Sequence, residues 1–189
     1  MARRPVATLQ YGSRQLTPIG PYDRDVPLFQ PIIDALNRND VRYVIVGGLA
    51  VVLHGYPRLT ADLDLVVDLN PEEAERAIDT LLAIGLRPTA PVEAKQFADP
   101  VARAKWREER HMLVFSLWDP NDPLHQVDLF VENPIEFEQL WARSLLVDLA
   151  GTMARIASIP DLIEMKKVAA GPQDMADVEA LLAILDERR

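Results

Sequence analysis

The sequence predicts an α/β (α+β) protein: a mixed β-sheet with flanking helices and a helical C-terminal part. Three observations lead there. Apolar runs of strand length, at 43–46 and 63–67, alternate with longer segments whose apolar residues recur three and four apart. Helix start and stop signals punctuate those longer segments. The composition, 49% hydrophobic and 26% charged over 189 residues, is ordinary for a globular chain large enough to bury a core.

The elements follow in order. Residues 1–27 carry Pro5, Pro18, Pro21, Pro27 and two glycines with little periodicity, and read as an extended arm. A helix over 28–37 places Leu28, Ile32, Ile33 and Leu36 on one face. The run 43–46 is a buried strand ending in Gly47-Gly48; 49–54 is a short helix closed by Gly55; 63–67 is a second buried strand. Asn70-Pro71-Glu72-Glu73 opens a helix: Asn as cap, Pro at the first helical position, acids toward the positive end of the dipole. Ala74, Ile78, Leu81 and Leu82 form its apolar face and Gly85 ends it. A more polar helix spans 92–110 and restarts at Pro100. Strands at 112–118 and 126–131 flank the turn-rich Asp119-Pro-Asn-Asp-Pro123. Asn133-Pro134 opens a helix to about Arg143, and two helices close the chain, 160–170 and 174 onward, with Gly171-Pro172 as the break. The expected division is an arm over 1–27, a core over 28–145 and a helical C-terminal subdomain over 146–189.

Several function classes drop out on composition. With no cysteine there is no disulfide, thiolate metal site or cysteine nucleophile. A net charge of −9 excludes a broadly basic nucleic-acid surface but leaves room for a local patch. No apolar run approaches the roughly 18–20 residues of a membrane span. The start lacks the apolar middle of a signal peptide, so a cytoplasmic protein is expected, with no membrane partner.

The chemistry concentrates in two stretches. Thirteen residues lie between Gly48 and Asp62-Leu-Asp64. A strand has a period of two, so both carboxylates share one face. Carboxylates that close repel one another unless a cation sits between them, and a hard divalent ion with a phosphate substrate is the usual reason for such a pair. Gly47-Gly48 follows a strand and opens a helix; without side chains it is either a tight turn or a place where backbone N–H groups meet a phosphate. Asp128, flanked by apolar residues, needs a partner in turn, an arginine or a metal. Lys166 and Lys167 complement a helix dipole or reach a phosphate; Arg58 is a surface residue or a triphosphate contact; Asp174 is a helix cap or part of the site. His54 and His111 have no histidine partner at metal-binding spacing and read as structural. Trp106, Trp118 and Trp141 read as core or interface residues, with no stacking platform evident among them.

These residues resemble the nucleotidyltransferase superfamily that includes DNA polymerase beta, whose signature is an apolar strand, Gly-Gly or Gly-Ser, a spacer, Asp-x-Asp and a later acid. Within it, the segments GGLAVVLHGYPRLTADLDLVVD and MLVFSLWDPNDPLHQVDLFVENPIEFEQL and the closing Lys166…Asp174-x-x-Asp177 are similar to the AbiEii/AbiGii-type toxin nucleotidyltransferases. One departure stands out: Pro172-Gln173 replace the basic residues expected before Asp174. The resemblance implies a nucleotidyltransferase core in which Asp62, Asp64 and Asp128 hold two magnesium ions, or manganese in their place. It implies that Gly47, Gly48, Arg58 and Lys166 meet the NTP, with Asp174 and Asp177 supporting them. The implied acceptor is RNA, such as a tRNA 3′ end, in a toxin–antitoxin setting with an antitoxin partner. The alternatives are a small-molecule acceptor of the antibiotic type, or an inactive binding module that keeps the fold.

Overall fold

The structure, a computed structural model, describes residues 10–11, 14–15, 26–149 and 151–188. Within the stretch expected as an arm, β1 (Gln10–Tyr11) and β2 (Arg14–Gln15) pair antiparallel; the other positions up to 25 lie outside the described residues. Helix α1 (Val26–Arg38) begins inside that stretch, two residues before the expected start, and buries Phe29, Ile32, Ile33 and Leu36. Asp40, at a φ of 52°, reverses the chain into β3 (Tyr43–Ile45), buried throughout. The chain continues through α2 (Gly47–Leu53), β4 (Asp62–Val67), α3 (Pro71–Ala83) and β5 (Arg87–Pro88). A 3₁₀ turn (Ala94–Ala98) precedes α4 (Pro100–Arg110), β6 (Val114–Asp119) and β7 (Asp122–Phe130). The expected restart at Pro100 is there, capped by Asp99, whose carboxylate accepts the Val101 N–H at 2.8 Å. Then come α5 (Phe137–Arg143), β8 (Leu145–Leu149), β9 (Thr152–Ile156), α6 (Ile159–Ala169) and α7 (Pro172–Glu187).

Seven strands form one mixed sheet in the order β5-β6-β7-β4-β3-β9-β8. The β4–β7 and β3–β9 pairs are parallel; the others are antiparallel. The hairpin β8–β9 is the main departure from expectation, since residues from 146 on were assigned to a helical part. Its signal is local: inward Val147, Leu149, Thr152, Ala154 and Ile156 alternate with more exposed neighbours on either side of Gly151, at a φ of 98°. The Gly151 N–H donates to Asp148 at 2.7 Å to close the turn. Through β9 the hairpin joins the sheet beside β3, where Ala157 donates its N–H to the Ile45 carbonyl.

Three helix starts also differ. Asn70 sits at the α3 cap without a side-chain bond to the helix; its amide instead donates to Asp68 at 3.0 Å. Asn133 does not open α5, because its amide is drawn to the Val67 carbonyl at 3.0 Å, and Glu136 caps three residues later through the N–H groups of Glu138 and Gln139. Asp174 is not the first cap of α7: the helix starts at Pro172, and Asp174 reaches back to accept the Gly171 N–H at 3.2 Å. The core lies along the sheet, and at one end Trp106 stacks on Phe115 with ring centroids 5.4 Å apart. No helix among the described residues is long and apolar enough to cross a membrane.

Candidate functional site

Strand register assembles the acids. Asp64 on β4 stands opposite Asp128 on β7, and Asp62 opposite Gln126. Adjacent strands lie about 4.8 Å apart, so Asp64 and Asp128 are nearest neighbours across the ladder. The antiparallel partner β6 extends both rows, with Ser116 opposite Asp128 and Trp118 opposite Gln126. Cross-strand partners share a face. One face of three strands therefore carries Asp64, Asp128 and Ser116 in one row and Asp62, Gln126 and Trp118 in the next. The opposite face carries Leu63, Leu65, Val127 and Leu129, all fully buried.

Gly47 and Gly48 are there because nothing larger fits. Gly47 has a φ of 60°, and a Cβ on it would overlap the Asp64 carboxylate. A Cβ on Gly48 would lie 2.7 Å from the Thr60 hydroxyl and 3.1 Å from the Arg58 guanidinium. The loop after α2 thus folds Arg58 and Thr60 back over the glycine pair. The Gly48 N–H donates to the Asp64 carboxylate.

The electrostatics of the row are unfavourable as it stands. Burial, and then the facing Asp128 and Asp62 carboxylates, push Asp64 up to about 6, despite the Gly48 N–H and the positive charge of Lys166. Burial and Asp128 raise Asp62 as well. Among the described residues no arginine pairs with Asp128; the Gln126 amide donates to it at 3.0 and 3.3 Å. Among the described residues no group of three or more His, Asp or Glu side chains is gathered closely enough to hold a metal as it stands. The donor set nonetheless suits a hard divalent cation: carboxylate oxygens on adjacent strands, facing one another.

Around Asp177, whose partners Arg58 and Lys166 line the same cleft as Asp64, the opposite arrangement holds. Asp177 on α7 is fully buried, and both Arg58 (2.5 Å) and Lys166 (2.6 Å) reach one of its oxygens. The other oxygen accepts the Gln173 amide at 3.1 Å. Lys166 also bonds Asp174 at 3.1 Å. Asp174 and Asp177 therefore hold the two cations in place, and Gln173, where a basic residue was expected, joins the same network. Lys167 is exposed on the next position of the helix.

A cleft of about 790 Å³ opens between the sheet and α6. At one end it is lined by Gly47, Gly48, Arg58, Asp64, Lys166 and Asp174, so most of the residues singled out from the sequence meet there. Asp62 and Asp128 are not part of its lining, though Asp128 is the cross-strand neighbour of Asp64, and Asp177 holds the cations without lining the cleft itself. Away from the glycine pair the lining includes apolar Leu113, Phe130, Ile135 and Met165 together with the charged Arg107, Glu132 and Glu164. That wall, and the roles of Gln126 and Thr60, had no signal in the sequence beyond ordinary strand and helix periodicity. His54 is structural: its Nε2 donates to the Ala157 carbonyl at 2.8 Å, and burial pushes its pKa down to about 4. His111 is the left-handed residue that ends α4.

No family model matches the chain, and no curated protein matches it significantly. Solved structures do. ANT(2")-Ia in complex with adenylyl-2"-tobramycin superposes with a TM-score of 0.56 at 16% identity, covering 85% of this chain and 89% of that one. An antigenic nucleotidyltransferase-like protein from Paracoccidioides brasiliensis gives 0.55 at 18%, covering 87% and 76%. The lincosamide antibiotic adenylyltransferase LnuA, lincomycin-bound, gives 0.53 at 15%, covering 85% and 97%. The chain has the nucleotidyltransferase fold.

Proposed function

We propose that the protein is a metal-dependent nucleotidyltransferase that moves a nucleoside monophosphate from an NTP onto a hydroxyl acceptor. The observation that carries this reading is the register pairing of Asp64 with Asp128, one strand apart, at a cleft whose rim is Gly47-Gly48. Asp62, Asp64 and Asp128 would hold the divalent ions, two in number, magnesium or manganese. When bound, such ions neutralise phosphate charge and lower the pKa of an attacking hydroxyl.

The residues divide the work by position. Gly47 and Gly48 allow a phosphate to approach the backbone. Arg58 and Lys166, fixed by Asp177 and Asp174, present positive charge to the β- and γ-phosphates. The apolar wall of Leu113, Phe130, Ile135 and Met165 takes the nucleoside and keeps water from it. The acceptor oxygen attacks the α-phosphorus, a new P–O bond forms, and the bond to the bridging oxygen breaks to release pyrophosphate. Asp128 orients the attacking hydroxyl and takes its proton.

The acceptor is proposed as RNA, such as a tRNA 3′ end, on the three sequence blocks shared with AbiEii-type toxins; an antitoxin partner belongs to that reading. A small-molecule acceptor is the second reading. It is supported by two solved structures of the same fold whose names identify antibiotic substrates. The test is transfer of label from α-labelled NTPs with magnesium, offered bulk tRNA and then tobramycin. Labelled product that disappears with a chelator supports the proposal; failure of the protein to bind any NTP in the presence of magnesium would overturn it.

A further inference from the structure

Trp118 stands apart from the other two tryptophans. Trp106 is buried against Phe115, and Trp141 packs beside Phe137 under the Arg42 and Arg155 guanidiniums. Trp118 is only half-buried, and among the described residues it has no aromatic partner and no place in or against the buried core. It lies in the acid-bearing row, on the same face as Asp62 and Gln126. A large apolar ring on a polar, partly open face is placed to meet a ligand.

The geometry of in-line transfer says which ligand, given the proposed function on which this rests. Attacking and leaving oxygens lie on opposite sides of the phosphorus. The groups suited to the leaving pyrophosphate, Gly47, Gly48, Arg58 and Lys166, are all on the β3 and α2 side of Asp64. The nucleoside wall runs from Asp64 toward Phe130, the C-terminal end of β7. The acceptor is left the remaining direction: across β7 to β6 and toward the start of β4, which is where Ser116 and Trp118 stand. Trp118 is two strands, or about 10 Å, from the Asp62 position, a distance spanned by one sugar-bearing unit whose hydroxyl reaches the acids.

We propose that Trp118 is the acceptor platform: the ring system of a sugar-bearing acceptor lies on the indole while its hydroxyl points to Asp128. The terminal nucleoside of an RNA and a free glycoside both supply this chemistry, so both are probes. In steady-state transfer, Trp118→Ala raises KM for the acceptor, bulk tRNA or tobramycin, by about tenfold, within the range measured for loss of one stacking aromatic. The KM for NTP and the affinity for a non-hydrolysable NTP analogue stay within about twofold of wild type. Trp118→Phe, which keeps a ring, restores most of the acceptor affinity. In the analogue complex, adding the labelled acceptor changes tryptophan emission in wild type, and Trp118→Phe removes that change. The acceptor that is labelled identifies the source. An acceptor KM unchanged in Trp118→Ala, or an emission change that persists in Trp118→Phe, overturns the platform while leaving nucleotidyl transfer standing. Wild-type protein that binds the NTP analogue with magnesium but labels neither probe overturns it too. Loss of nucleotide binding in wild type, by contrast, would strike the proposed function itself.

Discussion

Two groups of buried and half-buried charge flank the same cleft and are built on opposite rules. Around Asp177, each buried carboxylate and each cation has a partner of the other sign: Arg58 and Lys166 on Asp177, and Lys166 again on Asp174. Across β4 and β7, carboxylate faces carboxylate, and the Gln126 amide, which bonds Asp128, is a weak substitute for a cation. Taking charge out of water is costly unless it is paired. The first group meets that requirement within the chain. Among the described residues the second has no such ion pair, which is why the acid row, rather than the more elaborate ion-pair network, is read as the chemical centre.

The contrast is sharpest under substitution. Asp64→Asn should reduce transfer by about a thousandfold, the upper scale for removing one group that stabilises transition-state charge. The same change should raise the melting temperature in the absence of magnesium, because it removes a carboxylate held against its neighbours. A lower melting temperature for Asp64→Asn would break the comparison. Asp177→Asn should act in the reverse sense, destabilising by about 3–5 kcal/mol as Arg58 and Lys166 lose their shared counter-charge. Urea unfolding of the two variants side by side reads both signs.

A smaller effect lies in pH. Asp64 in the fold binds its proton more tightly than in the unfolded chain. Its stabilising contribution is full below about pH 4 and lost as pH rises through about 6, roughly 2–3 kcal/mol in all. His54 binds its proton less tightly in the fold. Its contribution is full above about 6.5 and lost as pH falls toward 4, roughly 3 kcal/mol. The two slopes oppose each other between pH 4 and 6. Asp64→Asn should uncover the His54 slope, so this variant loses more stability than wild type on acidification from 6.5 to 4.5. Calorimetric melts at three pH values in that range test it; parallel curves for the two proteins would show that neither group behaves as its surroundings dictate.

The smallest effect separates the two lysines. Lys167→Ala removes an exposed side chain and should change stability by less than about 0.5 kcal/mol and leave the KM for NTP as it is. Lys166→Ala should raise that KM and also loosen Asp174 and Asp177. Equal, small effects at both positions would return Lys166 to a helix-dipole role and blur the line between the two charge groups.

The sequence alone determined what depends on neighbours along the chain. The shared face of Asp62 and Asp64 follows from strand periodicity. Gly47-Gly48 is legible as the junction between a strand and a helix, and the restart at Pro100 follows from proline's missing N–H. What only the tertiary structure decided are the pairings between distant segments. Register places Asp128 beside Asp64, 64 positions earlier in the chain, rather than one residue to either side, where its side chain would face the buried side of the sheet. Arg58 meets Asp177 across 119 residues. Asn133 abandons an expected cap for the Val67 carbonyl, 66 residues away. The β8–β9 hairpin becomes part of the sheet only because β3 leaves an edge for β9 to fill. Local geometry is set by bonds and sterics within a few residues, whereas these contacts depend on which surfaces the whole chain must bury together.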